Sequence, residues 1–219
     1  MIINLKTELK INPLGIDIPD PRLSWQLQSA ERGTFQTAYE ILVSDNKKDL
    51  EKNNGTVWQT GKVNSNSTFG IVFSGKPLMP FNRYFWKVRI WDGKDQPSGW
   101  SGTSWFETAM MKQSDWNARW ISDPNPLPVN DEDFYKEIPA PLIRKEIELQ
   151  KNVLTARLYI SGLGYYEARL NGGKIGNSML DPGWTQYGRQ VLYSTYDVSR
   201  MLKKGKNAFG IILGNGWYN

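Results

Sequence analysis

The sequence predicts an all-β chain built as two sandwiches in tandem, and three observations carry that prediction. Apolar residues recur at every second position over short runs, the period of a half-buried strand. Clusters of Gly, Pro, Asn and Asp close these runs at intervals of roughly 8–12 residues, the spacing of β-sandwich strands. Aromatic residues make up 13% of the chain, with ten Trp among them, and such side chains suit a pleated, half-buried surface. The 219 residues suffice for two domains of about 110 each, a common domain size.

Residues 1–25 open with Asn12-Pro13-Leu14-Gly15-Ile16-Asp17 and Pro19-Asp20-Pro21. Proline cannot donate into a central ladder, so this stretch reads as an extended edge segment. Leu23, Trp25 and Leu27 then share one strand face, as do Tyr39, Ile41 and Val43 within 37–43. Residues 45–50 read as a turn or short helix. Asn53-Asn54-Gly55 turns the chain before Val57-Trp58, and 69–73 forms another strand. The clearest run is 83–91, where Tyr84, Trp86, Val88 and Ile90 face one way and Lys87 and Arg89 the other. Leu78-Met79-Pro80-Phe81-Asn82 supplies the corner before it, and Asp92-Gly93 the turn after it. Ser98-Gly99-Trp100-Ser101 leads to a last strand around 104–108. These strands predict a two-sheet sandwich over residues 1–108.

This half resembles a fibronectin type III domain in Trp25, in the Leu78…Tyr84 corner with Tyr84-x-Trp86-x-Val88, and in Trp100-Ser101. The resemblance implies that these aromatics pack the core and that the domain acts as a spacer. A sugar-stacking platform at Trp91 or Trp100 is the functional alternative.

Residues 109–141 carry Pro124, Pro126, Pro128, Pro139 and Pro141 around Asn130-Asp131-Glu132-Asp133. This is connector composition, stiffened by proline and solubilised by charge. Trp116 and Trp120 lie four apart, so they can share one helical face, and are read as bolts packing the connector to a domain. The acidic cluster is read as an exposed loop.

Residues 142–219 restart the alternation, with strands at 143–149, 153–160, 165–170, 191–196 and 208–213. The last is apolar on both alternating faces, as a central strand should be. Asn171-Gly172-Gly173 is turn chemistry, because Gly and, nearly as well, Asn tolerate positive φ. Asp181-Pro182-Gly183 marks a second turn, with Trp184 and Tyr187 beside it. Ser199 is a candidate N-cap for one helical turn over 199–204, closed by Gly205. Five strands make a thin sandwich where a jelly roll typically has about eight. The second domain therefore reads as a truncated, jelly-roll-like part of a longer polypeptide.

Composition excludes several chemistries. The chain has no Cys and no His, which removes disulfides, thiolate or His-ligated metals and Ser-His-Asp or Cys-His nucleophiles. The net charge of +5 is dispersed, with its densest groups only Lys47-Lys48 and Lys203-Lys204 plus Lys206, so no nucleic-acid partner is expected. No apolar run approaches the ~18 residues that span a bilayer, so no membrane partner is expected. Charges in MIINLKTELKINP occupy the place of a signal peptide's apolar core. The compartment stays open, with the periplasm or the extracellular space the expectation for the parent protein.

A denser set of motifs is similar to the N-terminal region of bacterial α-L-rhamnosidases of glycoside hydrolase family 78. In the first half these are Asn12-Pro13-Leu14-Gly15-Ile16-Asp17, Pro21-Arg22-Leu23-Ser24-Trp25 and Gln36-Thr37-Ala38-Tyr39. In the second they are residues 156–166, Leu170-Asn171-Gly172, Leu180-Asp181-Pro182-Gly183-Trp184-Thr185, Val191-Leu192-Tyr193, Tyr196-Asp197-Val198 and 213–218. The resemblance implies an accessory region of an enzyme that removes terminal α-L-rhamnose from glycans or glycosides. In that family two acidic residues of a later (α/α)6 barrel do this with inversion, which needs carboxyl groups ~6.5–9.5 Å apart. No carboxylate pair here matches them, so the chain is expected to carry no catalytic residue and to partner the catalytic domain of the same parent.

Some family members use the second sandwich to bind rhamnose with the help of calcium, so a rhamnose-containing carbohydrate is the implied partner. Trp184, Tyr187, Asn171 and Trp217 are the sugar-binding candidates, and Asp181 and Asn177 the candidate calcium ligands. Asp197 and Asn215 are further oxygen donors near turns. No cofactor is required, and calcium is the one candidate. A structural role stands open beside each: Asn171 turning a hairpin, Asp181 starting a turn, Trp184 and Trp217 filling the core. A truncated sandwich would also leave an unpaired strand edge that invites self-association. The rival readings are a free-standing carbohydrate-binding or adhesion module without catalysis, and a plain structural spacer.

Overall fold

Alternation builds the first unit around its longest strand. The computed structural model describes residues 1–122, 129–134, 136, 139–214 and 216, divided into Met1–Asn117 and Ala118–Asn219. The first unit contains β1 (Ile2–Thr7), β2 (Arg22–Leu27), β3 (Gln36–Ser44), helix α1 (Lys47–Glu51), β4 (Trp58–Gln59), β5 (Val63–Asn64), β6 (Ile71–Val72), β7 (Arg83–Asp92) and β8 (Ser104–Glu107). One sheet runs β1-β2-β6; the other runs β4-β3-β7-β8, with β5 also paired to β3. Tyr84, Trp86, Val88 and Ile90 of β7 point into the core, where they meet Ile41 and Val43 of β3, Phe106 of β8 and Leu5, Leu23 and Trp25 of the opposite sheet. Burial of each such side chain contributes about 1.5–3 kcal/mol.

Polar groups inside this unit are tied down locally. The Trp25 indole N–H donates to Gln36 Oε1 at 3.1 Å, and Gln36 Nε2 donates to the Ser65 and Ser67 carbonyls. At the corner before β7, the Tyr84 hydroxyl accepts from the Met79 N–H at 2.7 Å, a tyrosine corner of the kind that pins immunoglobulin-like sandwiches. Asn46 caps α1 by accepting from the Lys48 N–H at 2.9 Å, which satisfies a helix donor left without a partner.

Several elements differ from expectation. The N-terminal stretch begins as a paired strand, because β1 lies antiparallel to β2. The proline-rich segment follows it, where Ile16 N donates to Glu107 O at 3.0 Å. The strand expected over 69–73 shrinks to Ile71–Val72, and Phe69 is exposed. The two-residue β5 is too short to show a period. The first unit also continues to Asn117, through a single 3-10 turn at Gln113–Asp115. Trp116 and Trp120 share no helix, and Trp120 is 63% exposed. The acidic cluster forms the short helix α2 (Asp131–Phe134) instead of a loop.

The second unit contains β9 (Leu142–Leu149), β10 (Arg157–Ile160), β11 (Tyr165–Leu170), β12 (Gly173–Lys174), β13 (Ser194–Asp197) and β14 (Gly205–Gly214). The order β12-β11-β14-β9 makes an antiparallel four-stranded sheet, and β10-β13 makes a two-stranded one. β14 is central, as its two apolar faces predict. Asn171 and Gly172 both have positive φ, 52° and 86°, the geometry of a two-residue hairpin turn between β11 and β12. Tyr166, Ala168, Leu170, Ile175 and Val198 form the core. Ser199 caps no helix. Its hydroxyl accepts from the Ala156 N–H at 2.9 Å, and residues 199–204 form only turn and irregular backbone. Among the described residues, no helix is long and apolar enough to cross a membrane.

Tyr84→Phe should destabilise the first unit by about 1–3 kcal/mol, since the Met79 N–H would lose its acceptor. Chemical denaturation of the 219-residue chain measures this as a lower midpoint for the first-unit transition, with no change in β content by circular dichroism.

Candidate functional site

The loop between β12 and β13 carries most of the candidates, and one buried carboxylate anchors it. Asp181 is 9% exposed. Its Oδ2 accepts from the Tyr166 hydroxyl at 3.0 Å and also from the Tyr196 hydroxyl. Its Oδ1 accepts from Ser194 Oγ at 2.6 Å, and its carbonyl accepts from the Tyr166 N–H at 2.9 Å. Tyr166 belongs to β11 and Ser194 and Tyr196 to β13, so this carboxylate ties the loop to both sheets. Hydrogen bonds to a charged acceptor are stronger than neutral ones, and a buried carboxylate needs such partners. Burial pushes the Tyr166 hydroxyl well above the ordinary tyrosine range, and the negative charge of Asp181 adds to the shift. A Cβ on Gly176 would run into the Tyr196 ring, so glycine keeps the chain close to this network.

The other candidates separate by environment. Asn171 is a bracket: its Nδ2 donates to Met201 O and Asn207 Oδ1, both at 2.9 Å, and its Oδ1 accepts from the Ala208 N–H at 3.0 Å. Both ends of the amide are engaged in fixing the hairpin to β14. The Tyr187 hydroxyl accepts from the Gly164 N–H at 3.0 Å, while its ring is half-buried. Trp184 does not fill the core, because it is 60% exposed. Its loop is closed by Thr185 Oγ1 donating to Gln190 O at 2.5 Å and by Ser161 Oγ donating to Leu192 O at 2.7 Å. Asn177 is exposed. Trp217 and Asn215 lie outside the described residues. The structure thus brings Asp181, Trp184 and Tyr187 onto one fastened loop and sets Asn171 in the hairpin.

Asp181 holds hydroxyl donors on both oxygens. Among the described residues, no group of three or more His, Cys, Asp or Glu is placed to hold a metal ion. Tyr166, Ser194 and Tyr196 escape sequence reasoning because they lie 13–15 residues from Asp181, a separation with no local signature.

In the first unit, Trp91 and Trp100 are covered rather than presented. The Arg89 guanidinium lies 5.1 Å from the Trp91 ring centre and 4.8 Å from that of Trp100, and Lys87 Nζ lies 5.1 Å from Trp100. Arg89 also pairs with Glu40 at 2.6 Å. The other buried glutamate, Glu107, pairs with Arg83 at 2.9 Å, and Arg83 stacks 4.1 Å from the Trp105 ring centre.

Known proteins match both units. The family described as the Rha78A-like, N-terminal immunoglobulin domain matches residues 2–112, and the α-L-rhamnosidase N-terminal domain matches residues 151–219. An α-L-rhamnosidase of Formosa agariphila is 39% identical over 223 residues, which covers 95% of this chain and 23% of that protein. One from Alteromonas sp. is 33% identical over 211 residues, again covering 95% of this chain and 23% of the relative. The solved α-L-rhamnosidase from Dictyoglumus thermophilum is 44% identical with a TM-score of 0.91, covering 99% of this chain and 25% of that one. The native enzyme from Aspergillus terreus gives 29% identity and a TM-score of 0.82 over 99% of this chain and 24% of its own. The chain therefore spans about a quarter of the length of these relatives.

Asp181→Ala should cost the second unit about 2–4 kcal/mol, because three hydroxyls lose their buried acceptor; the second-unit transition in urea measures the loss. A pH effect follows from Tyr166. Below the ordinary tyrosine pKa of about 10 its hydroxyl is neutral in both folded and unfolded chains, so its contribution is complete. As pH rises past that value the unfolded chain releases a proton that the folded chain retains, and stability falls. The drop in urea midpoint between neutral pH and pH about 11 should be smaller in Tyr166→Phe than in the unaltered chain.

Proposed function

The chain belongs to the α-L-rhamnosidases, as their N-terminal region, and from that premise we propose that it serves a parent enzyme that hydrolyses terminal α-L-rhamnose from glycans or glycosides. Hydrolysis is assigned to polypeptide outside these 219 residues, and the role of this region is to support that catalytic domain. The alignment carries this reading, since nearly the whole chain corresponds to about a quarter of each rhamnosidase it matches. The buried carboxylates accord with it: Glu40, Glu107 and Asp181 are bonded to Arg89, Arg83 and three hydroxyls. An inverting hydrolase instead needs one carboxyl group to give a proton to the leaving oxygen and another to activate a water.

A secondary contact with sugar is proposed at Trp184. A 60% exposed indole on a loop fastened at Asp181 and Tyr187 offers an apolar face whose position is already set, and aromatic faces of this kind are a common source of binding energy. No cofactor is needed for this role. Asp181 and Asn177 stay the calcium candidates for test, with Asn177 the one at the surface.

The purified 219-residue chain should release no detectable product from an aryl α-L-rhamnoside, whereas the parent enzyme should turn it over. Turnover by the chain that survives repurification would refute the assignment. In the parent enzyme, Trp184→Ala should raise KM about 3- to 10-fold with little change in kcat, as loss of a ground-state stacking contact does. Titration of the chain with L-rhamnose should quench tryptophan fluorescence saturably, and Trp184→Ala should abolish the quenching. Dependence on Ca²⁺ that disappears in Asn177→Ala would bring a cation into the contact, and an unchanged response in Trp184→Ala would remove the indole from it.

A further inference from the structure

Asn-Gly pairs occur at 54–55, 171–172 and 215–216, and the fold treats the first two oppositely. Asn171 spends its whole amide. Its Oδ1 accepts from the Ala208 N–H at 3.0 Å, and its Nδ2 donates to Met201 O and Asn207 Oδ1 at 2.9 Å. Asn54 is exposed, and among the described residues neither its side chain nor the Gly55 N–H has a hydrogen-bond partner. The backbone around it is still fixed, because the Asn53 N–H donates to Leu50 O at 3.0 Å and the Asn54 N–H to Asp49 O at 2.9 Å, at the end of α1. Packing imposes glycine at 55, since a Cβ there would run into the Trp58 carbonyl oxygen and press on Leu42.

We infer that Asn54-Gly55 is a self-modification site, at which the Gly55 nitrogen attacks the Asn54 side-chain carbonyl and converts asparagine into aspartate and isoaspartate. Hydroxide takes the Gly55 amide proton. A bond forms between that nitrogen and Asn54 Cγ, the bond from Cγ to Nδ2 breaks, and Nδ2 leaves as ammonia with a proton from water. Water then opens the cyclic imide. Cleavage at Cγ leaves aspartate in an ordinary peptide chain, whereas cleavage at the main-chain carbonyl leaves isoaspartate and lengthens the backbone by a methylene. With glycine at 55, no side chain shields the nitrogen, and the backbone has the torsional freedom to bring it to the carbonyl. Such a reaction needs the two atoms in near-attack geometry. The unbonded Asn54 amide can turn to reach it, and the bracketed Asn171 amide is held away from it. Either product replaces a neutral amide by a carboxylate and so lowers the net charge of +5 by one. That charge arises one residue from Asn53, whose Oδ1 accepts from Lys87 Nζ at 2.7 Å, and Lys87 is only 6% exposed. An enclosed ammonium thereby gains an anion next to its partner. The inference is independent of the rhamnosidase reading.

To test it, the 219-residue chain is incubated in mildly alkaline buffer, either folded or unfolded in urea. Peptides carrying Asn54 and Asn171 are followed by mass spectrometry, and isoaspartate is scored by enzymatic methylation of each peptide. The peptide carrying Asn215 is resolved separately. In the folded chain Asn54 should convert about tenfold faster than Asn171 or more, as a difference in near-attack geometry produces. In urea the two should convert at similar rates, because the bracket around Asn171 is gone. Asn54→Gln keeps an amide but would have to close a larger ring, so it should abolish methylation of its peptide and leave the circular dichroism unchanged. Equal rates in the folded chain would overturn the inference. Conversion of Asn54 in urea alone would also overturn it, since the fold would then shield the pair. Methylation that persists in the same peptide of Asn54→Gln would do so as well, by moving the reaction to Asn53.

Discussion

Each of these sheets has an apolar face that water penalises, and covering that face is the constraint on which the rest of the structure depends. Burial is worth about 25 cal/mol per Å² of apolar surface, so the match between facing sheets decides how well each unit is closed. In the first unit the match is good. The β3-β7-β8 face lies under β1-β2-β6, and Leu23, Ile41, Val43, Trp86, Val88 and Phe106 are completely enclosed. In the second unit the two-stranded sheet covers the β11 side, and enclosure fades toward β9.

The solvent side of the first unit's larger sheet follows a different rule. There the alternation that sends Trp86 and Val88 inward sends Lys87 and Arg89 outward, and those cations lie over indole rings. Arg89 contacts Trp91 and Trp100 while pairing with Glu40, and Arg83 contacts Trp105 while pairing with Glu107. Exposed ion pairs contribute little alone. Here each cation also packs its flat or aliphatic surface on an aromatic face, and the partner glutamates are buried. Trp86 thus packs on the inner side of this sheet, and Trp91, Trp100 and Trp105 pack against cations on its outer side.

Strong periodicity made the main architecture legible in the sequence. The β7 run announced both its faces, the doubly apolar 208–213 run announced a central strand, and Asn171-Gly172 announced a hairpin. Two-residue strands such as β5 carry no period and could not be read. Where a helical turn is expected after Ser199, its hydroxyl instead accepts from the Ala156 N–H, 43 residues away, a long-range partner with no local signature. Asp181 shows the same limit at the candidate site. Locally Asp181-Pro182-Gly183 spells a turn. Its larger role as acceptor for Tyr166, Ser194 and Tyr196 arises only when two sheets bring distant hydroxyls together. Trp184 was visible as an aromatic beside a turn, but nothing local distinguishes an indole that fills a core from one that faces solvent.

That distinction bears on the sugar contact proposed at Trp184. Among the described residues only Trp120 and Trp184 are tryptophans with more than half of their surface exposed, and their settings differ. Trp120 stands in irregular backbone. Trp184 stands on a loop whose two ends are fixed by the Asp181 hydroxyl network and by Ser161, and whose middle is fixed by Tyr187 and Thr185. Immobilising a free loop on binding costs about 0.5–1.5 kcal/mol for each ordered side chain, and here folding has already met that cost. For the proposed contact, the buried carboxylate would act at a distance, by holding the loop that carries the 60% exposed Trp184 in one place.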